Sequence, residues 1–312
     1  MTGSRWATVR SGRLAVGTAP LAGLYEPVSA AAAADTLEAA WAGGVRLFDT
    51  APHYGAGLAE RRLGEFLRGR SRDGYTVVTK VGRLLVPGRA AHDEEGFVGG
   101  PSDLVRVRDY SADGVRRSLE ESLTRLGLDR VDVALIHDPD DHWDEAVAGA
   151  FPALARLRDE GVVRAIGAGM NQSAMLARFV RETDVDVVLV AGRYTLLDRE
   201  AAAELLPLCA ERGVGVLVGG AFNSGILADP NPGARFNYAP ADPAVLGRAR
   251  AMQRLCAAYG LPLAAAALQF PLRHPAVSAV VAGVRSAAEI REDLALLEVP
   301  VPEELWAALN DL

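Results

Sequence analysis

Eight short β-branched or apolar runs recur along the chain, and the segments between them read as helices rather than turns. The runs are Leu14 to Gly17, Leu47 to Asp49, Thr76 to Lys80, Val131 to His137, Ala165 to Gly169, Val187 to Ala191, Gly215 to Gly219 and Ser278 to Val281. Strands this apolar are buried on both faces, the condition of a parallel sheet covered by helices. Eight of them predict closure into a (β/α)8 barrel, the TIM barrel of the α/β class. Val115, Leu119, Leu123 and Leu126 share one helical face, with Ser111 placed as its N-cap. The Gly- and Pro-containing stretches Val81 to Val107 and Gly219 to Asp242 are expected as long loops after the third and seventh strands, on the face where barrels carry chemistry. Pro302 to Leu312 reads as a short extra helix over one end or side.

Composition narrows the partners. With 312 residues, 50% of them hydrophobic and 23% charged, the chain holds enough apolar material for one large core, so residues 1–312 are expected to form one domain. The net charge of −7 comes without a basic block, which argues against a nucleic-acid surface. Cys209 and Cys256 lack metal-ligand or redox spacing and are expected as buried thiols. No metal site is expected. The N-terminus has no apolar segment of the secretory kind, so a cytoplasmic location is expected. Leu255 to Leu272 carries no charge, yet Gly260, Pro262, Gln269 and Pro271 interrupt it, so a buried helix after a loop is expected rather than a membrane span. A doubly wound dinucleotide fold would announce itself with G-x-G-x-x-G after the first strand, and that string is absent. The nearest approach, Gly55-Ala-Gly57-Leu-Ala-Glu60, has a carboxylate in place of the third glycine.

Polar groups end several apolar runs. Leu47-Phe-Asp49 delivers a carboxylate, and the following Thr-Ala-Pro-His-Tyr54 delivers a phenol five positions on. Val77-Val-Thr-Lys80 ends on an ammonium and Ala134-Leu-Ile-His137 on an imidazole. Singly, each has a bland explanation: an Asp caps helices, a Lys snorkels, and most histidines are structural. Together they fall where barrel strands present catalytic groups and where packing gives no reason for charge. Asp49, Tyr54, Lys80 and His137 are therefore the candidate catalytic group.

These strings, Phe48-Asp49-Thr50-Ala51-Pro52-His53-Tyr54-Gly55 with Thr79-Lys80 and Ile136-His137-Asp138, resemble the aldo-keto reductase superfamily over nearly the whole chain. Ala191 to Asp198 and Ala264 to Phe270 are most similar to its bacterial L-fucose dehydrogenase and D-threo-aldose 1-dehydrogenase group. The resemblance implies an NAD(P)-dependent oxidoreductase. It further implies that Tyr54 transfers the proton, with Lys80 expected to favour the phenolate, Asp49 to hold Lys80, and His137 to orient the reacting oxygen. An aldose oxidised at C1 to the lactone is the expected reaction. A carbonyl reductase or pyridoxal-type dehydrogenase on the same scaffold remains open, as does a non-catalytic nucleotide-binding barrel. Implied cofactor contacts are Thr18, Asp49, Asn171, Gly219, Phe222, Ser224, Gly225, Gly283, Arg285 and Glu289. Departures from the family pattern stand at Gly169-Met170, Ala191 and Gly219. For the substrate, His53, His137, Trp143 and Arg193 are the candidates, equally readable, for Trp143, as a packed helix start. Gly283 and Glu289 stand where NADP-preferring relatives carry cations, so NAD is expected to be preferred, with Arg285 leaving NADP open. The oligomeric state is left undetermined.

Overall fold

The computed structural model describes residues 5–9, 12–88, 96–98, 100–101 and 103–312. Its centre is a closed barrel of parallel strands: β1 (Leu14–Gly17), β2 (Leu47–Asp49), β3 (Thr76–Val81), β4 (Val133–His137), β5 (Ala165–Met170), β6 (Val187–Ala191), β7 (Gly215–Gly219) and β8 (Val277–Gly283). The strands are hydrogen-bonded in chain order, and β1 closes the ring between β2 and β8. All eight expected runs are strands. Val131 and Asp132 fall just before β4 because the Asp132 carboxylate accepts from the Val77 N–H at 2.8 Å and from Arg72 at 2.7 Å. Asp186, before β6, accepts from the Ile166 N–H in the same way at 2.9 Å.

Alternation along the strands builds two apolar layers. Ala15, Leu47, Val78, Val133, Leu135, Ala165, Val187, Leu189, Leu217, Ala279 and Val281 point inward and pack together in the barrel. Trp6 plugs its base against Gly215, where any Cβ would meet the indole at 2.2 Å, and the indole N–H donates to Ser278 at 2.6 Å. Val16, Phe48, Val77, Ile136, Ile166 and Val188 point outward into a second layer shared with the helices. Those helices are α1 (Ala30–Ala42), α2 (Leu58–Leu67), α3 (Ala112–Leu126), α4 (Phe151–Asp159), α5 (Ser173–Glu182), α6 (Leu205–Arg212), α7 (Pro243–Ala258), α8 (Leu263–Gln269), α9 (Ala287–Leu297) and α10 (Glu303–Asn310). Ser111 caps α3 as expected, accepting from the Gly114 N–H at 3.0 Å. The final helix α10 packs against α7 and sets Trp306 beside Phe270.

Two expectations need correction. The stretch after β3 carries a hairpin, Arg83–Pro87 paired with Leu104–Arg108, so two-residue alternation overrides its Gly and Pro content. Residues 89–95, 99 and 102 of that expected loop lie outside the described residues. The stretch after β7 carries a smaller hairpin, Arg235–Phe236 with Ala239–Pro240. Leu255 to Leu272 holds the buried helix expected after a loop: Gly260, at φ +72, and Pro262 separate the end of α7 from α8, and the two helices form a pair bent by 104°. Among the described residues no single helix is long and apolar enough to cross a membrane. Cys209 and Cys256 are buried and unlinked, and burial pushes both thiols up.

Candidate active site

The same alternation that fills the barrel also decides what stands at its mouth. Following inward positions to the strand ends gives Asp49 on β2, Lys80 on β3 and His137 on β4. On the remaining strands the inward end positions are Gly17, Gly169, Ala191, Gly219 and Gly283. One side of the mouth is thus built from charged and polar side chains, and the other from almost none. The gap is a cleft of about 490 Å3 running from Asp49 and Tyr54 across Gly17, Ala191, Gly219 and Gly283 to α9. That volume lies within the usual range for small-molecule sites.

Asp49, Lys80, Tyr54 and His137 meet at one end. Lys80, 1% exposed, donates to both Asp49 oxygens at 2.7 and 2.9 Å and to the Thr50 carbonyl at 3.0 Å. It also lies 4.7 Å from the centre of the Tyr54 ring. Burial pulls the ammonium down, but Asp49 and Tyr54 outweigh it and hold Lys80 charged. Burial pushes the Asp49 carboxyl up, with Lys80 opposing. For Tyr54 burial wins: desolvation raises the hydroxyl above its ordinary value, and Lys80 offsets only part of the rise. Lys80 thus favours the phenolate, the direction expected of it, while burial keeps the resting group a phenol. His137 is held neutral by burial and by the cations Lys80 and Arg83. Its Nδ1 has no hydrogen-bond partner among the described residues, and its ring meets that of Tyr54 edge-on at 5.9 Å.

A rim of interactions fixes these groups. Arg83, on the hairpin after β3, pairs with Asp138 at 2.7 Å and donates to His53 Nδ1 at 3.2 Å. A guanidinium only donates, so His53 carries its proton on Nε2. Burial and the cations Arg83, Arg106 and Lys80 push the His53 ring down to about 2, leaving it neutral. Tyr110 donates to the carbonyls of His137 and Asp138, each at 2.8 Å, steadying the turn where Asp138 takes φ +41. Behind Lys80, Glu60 of α2 is fully buried. It accepts from Thr79 at 2.8 Å and from Arg125 of α3 at 2.6 Å.

Of the expected cofactor contacts, Asp49, Asn171, Gly219, Phe222, Ser224, Gly225, Gly283, Arg285 and Glu289 all line the cleft. Asn171 does not cap α5, whose N-cap is Gln172. Asn223, Ser224 and Gly225 run through φ +45, +59 and +98, curling the loop after β7 around the cleft wall, and Ser224 Oγ accepts from the Tyr238 N–H at 3.0 Å. Glu289 is already engaged: it accepts from the Arg285 N–H at 2.7 Å, while Ser286 caps α9 by accepting from the Glu289 N–H.

Three expected residues stand elsewhere. Thr18 is fully buried, and its hydroxyl donates to the Asp49 carbonyl at 2.9 Å, so it braces that strand end. Trp143 packs against Phe179 of α5 at 4.7 Å with the rings tilted by 58°, under Arg178 at 3.8 Å; its apolar face is used outside the cleft. Arg193 is tied to Asn237 at 2.8 Å and Asp198 at 3.3 Å, holding the small hairpin rather than facing the cleft. Sequence reasoning passed over Asp293, Tyr25 and Tyr238, which also line the cleft. Only Asp293 had a readable signal: it falls on the face of α9 marked by Ile290 and Leu297, where an apolar residue belongs.

Residues 13–312 match the model of the Aldo/keto reductase family. The chain is 44% identical over 305 residues to a D-threo-aldose 1-dehydrogenase of Pseudomonas sp., covering 96% of this chain and 93% of that one. It is 41% identical over 318 residues to a pyridoxal 4-dehydrogenase of Microbacterium luteolum, covering 95% and 92%. The solved glycerol dehydrogenase of Gluconobacter oxydans superposes with a TM-score of 0.78 at 25% identity, covering 96% and 91%.

Proposed function

The chain belongs to the aldo/keto reductase family and is a nicotinamide-dependent oxidoreductase, and on that premise we propose that it oxidises an aldose at C1 to the lactone. The observation that carries this reading is the join between Tyr54, with Lys80 4.7 Å from its ring centre, at one end of the cleft and a long floor of small residues at the other. The cleft fits a dinucleotide: Gly17, Gly219 and Gly283 leave room along its floor, and Asn171 and Phe222 stand at its walls. Bound nicotinamide dinucleotide supplies the hydride acceptor or donor.

The chain's own groups handle the proton. As the C1 hydride departs, the C1 hydroxyl proton passes to the Tyr54 oxygen, leaving the lactone carbonyl. That step needs Tyr54 ionised, and Lys80 is the cation that makes the phenolate accessible. Carbonyl reduction is the reverse, with the neutral Tyr54 as acid. His137, neutral and with its ring 5.9 Å from that of Tyr54, is the proposed hydrogen-bond partner of the reacting oxygen. His53, 5.5 Å from His137 ring to ring, is the proposed contact to a neighbouring hydroxyl.

NAD is the proposed coenzyme. Glu289, Glu292 and Asp293 line the far end of the cleft, and Arg285 is committed to Glu26 at 3.0 Å and Glu289 at 3.2 Å. A 2′-phosphate would meet carboxylates there, whereas a ribose diol finds acceptors. A pyridoxal-type dehydrogenase is the second reading. It is favoured by the 41% identical relative and by the aromatic wall in which Phe97 stacks on Tyr54 at 6.0 Å.

Absorbance of reduced nicotinamide, followed with L-fucose, D-arabinose and related aldoses against pyridoxal and simple aldehydes, separates the readings. Turnover of aldoses with formation of lactone is expected. Turnover of pyridoxal or apolar aldehydes with none of aldoses would reject the aldose reading.

A further inference from the structure

One carboxylate oxygen faces both a cation and the candidate catalytic imidazole. Asp138 Oδ2 accepts from Arg83 at 2.7 Å and lies 3.4 Å from Nε2 of His137, its neighbour in the chain. Consecutive residues of a strand point to opposite faces, so adjacent side chains meet only where the chain leaves the strand. Here it leaves through φ +41 at Asp138, a left-handed conformation that Asp tolerates better than most side chains. The turn is held from both sides. Tyr110 donates to the carbonyls of His137 and Asp138, each at 2.8 Å, and the Asp138 N–H donates to the Gly169 carbonyl at 3.0 Å. Backbone strain of this kind persists only where the surroundings over-determine it. What it secures is the place of the carboxylate.

A neutral imidazole carries one proton on two nitrogens, so its neighbours decide which nitrogen donates. With the proton on Nδ1, the Nε2 lone pair of His137 would face the Asp138 carboxylate, and the buried Nδ1–H would find no acceptor among the described residues. With the proton on Nε2, the carboxylate attracts it. The 3.4 Å separation is longer than an ordinary N–H···O hydrogen bond, so this N–H can still turn to another acceptor. Lys80 does not oppose the arrangement, because it donates to Asp49 and to the Thr50 carbonyl. Arg83 extends it: its second terminal nitrogen donates to His53 Nδ1 at 3.2 Å, which leaves the His53 proton on Nε2.

We propose that Arg83 and Asp138 are positioning residues that fix the proton on Nε2 of both imidazoles, and that Asp138 thereby makes His137 a donor toward the reacting oxygen. The consequence for catalysis rests on the reading that Tyr54 takes the C1 hydroxyl proton. A hydroxyl has one proton to give. A lone pair on His137 Nε2 would compete for that proton and turn it away from Tyr54. An N–H at the same place donates to the hydroxyl oxygen and leaves the proton for Tyr54.

The proton's place is read from protein carrying isotope-labelled histidine. Proton–nitrogen correlation spectra at about pH 8, where a histidine of ordinary proton affinity is neutral, distinguish a protonated ring nitrogen from a bare one. They are recorded without coenzyme or sugar, and His137→Gln and His53→Gln identify the two rings. Both rings of the wild type are expected to be protonated on Nε2. Asp138→Gly takes φ +41 without strain and removes the carboxylate, so His137 should become a mixture of the two forms while His53 stays as it was. Arg83→Met should do the converse. For aldose oxidation, kcat of Asp138→Gly should fall in proportion to the Nε2–H population lost, on the order of two- to tenfold, with coenzyme affinity unchanged. A merely structural role for Asp138 would not move the proton. Should the glycine variant fail to fold, Asp138→Asn keeps the side chain without its charge and should show the same mixing to a smaller extent. A wild-type His137 protonated on Nδ1 overturns the inference, as does a His137 spectrum unchanged in the Asp138 variants or a His53 spectrum unchanged in Arg83→Met. The spectra need no substrate. Absence of aldose turnover would therefore reject the proposed reaction and leave the proton assignment standing, whereas turnover with unmoved protons would reject the inference alone.

Discussion

A phenol ordinarily loses its proton near pH 10, so the proposed role of Tyr54 turns on what surrounds one oxygen. Burial raises its proton affinity, Lys80 lowers it, and burial prevails. The sign for catalysis follows. Oxidation needs the phenolate, so kcat for aldose oxidation should climb with pH and still be rising above about pH 9, whereas the reductive direction, served by the phenol, should be flat through neutrality. Tyr54→Phe should lower kcat by about 10²- to 10⁴-fold while coenzyme affinity, measured by fluorescence titration, changes little. Near-wild-type kcat in that variant would remove Tyr54 from the chemistry. Asp49, Lys80 and His137 were legible in the sequence because a charge at the end of an apolar strand has no packing explanation, and a period of two then aims it inward. Arg83 and Tyr110 were not legible. Their roles depend on a hairpin and a turn that bring them back over strands far from them in the chain. Trp143 misled for the converse reason: an aromatic after a strand end suits a sugar, but its ring is used against Phe179 on the neighbouring helix.

Elements hold that oxygen in place through contacts that barely touch the cleft. Thr79 and Lys80 are adjacent on β3 and point to opposite faces; Lys80 enters the barrel while Thr79 bonds Glu60 on α2, which in turn is clamped by Arg125 on α3. Glu60 is fully buried and the Arg125 side chain is 10% exposed, so this is an ion pair away from water. Breaking one partner of such a pair leaves an uncompensated charge and costs about 3–5 kcal/mol. Arg125→Met should therefore shift the urea midpoint by about that much free energy, and Arg125→Met combined with Glu60→Gln should recover part of it, since no charge is then left unpaired. A loss below about 1 kcal/mol in the single variant would show that the pair does not brace β3. At this scale the strands were the most legible feature, because full burial on both faces forces a continuous apolar run. The hairpin after β3 was hidden among Gly and Pro, although Leu104–Arg108 alternates; its outer strand is half-exposed and carries two arginines, so hydropathy alone does not mark it.

The whole molecule is a ring before it is a sequence of units: β1 is hydrogen-bonded to β2 on one side and to β8 on the other. No part of the chain can close the barrel without its ends, so we propose that residues 1–312 unfold as one domain, in a single calorimetric transition. The cleft crosses that ring from β2 to α9, with the proposed proton-transfer group at one end and Glu289, Glu292 and Asp293 at the other. A coenzyme spanning it touches both halves and should shift the one transition as a unit. NADH at about a hundred times its Kd should add about 2.7 kcal/mol to the stability. NADPH at the same concentration should add less, because its 2′-phosphate enters a field of three carboxylates whose nearest cation, Arg285, is already paired with two of the chain's own acids. Raising the salt should narrow the difference, since an unfavourable charge term is screened while the apolar contacts of the ring are not. Differential scanning calorimetry reads all of this from one set of traces. Two separated transitions would refute the single unit, and a larger shift with NADPH than with NADH would reverse the proposed coenzyme preference.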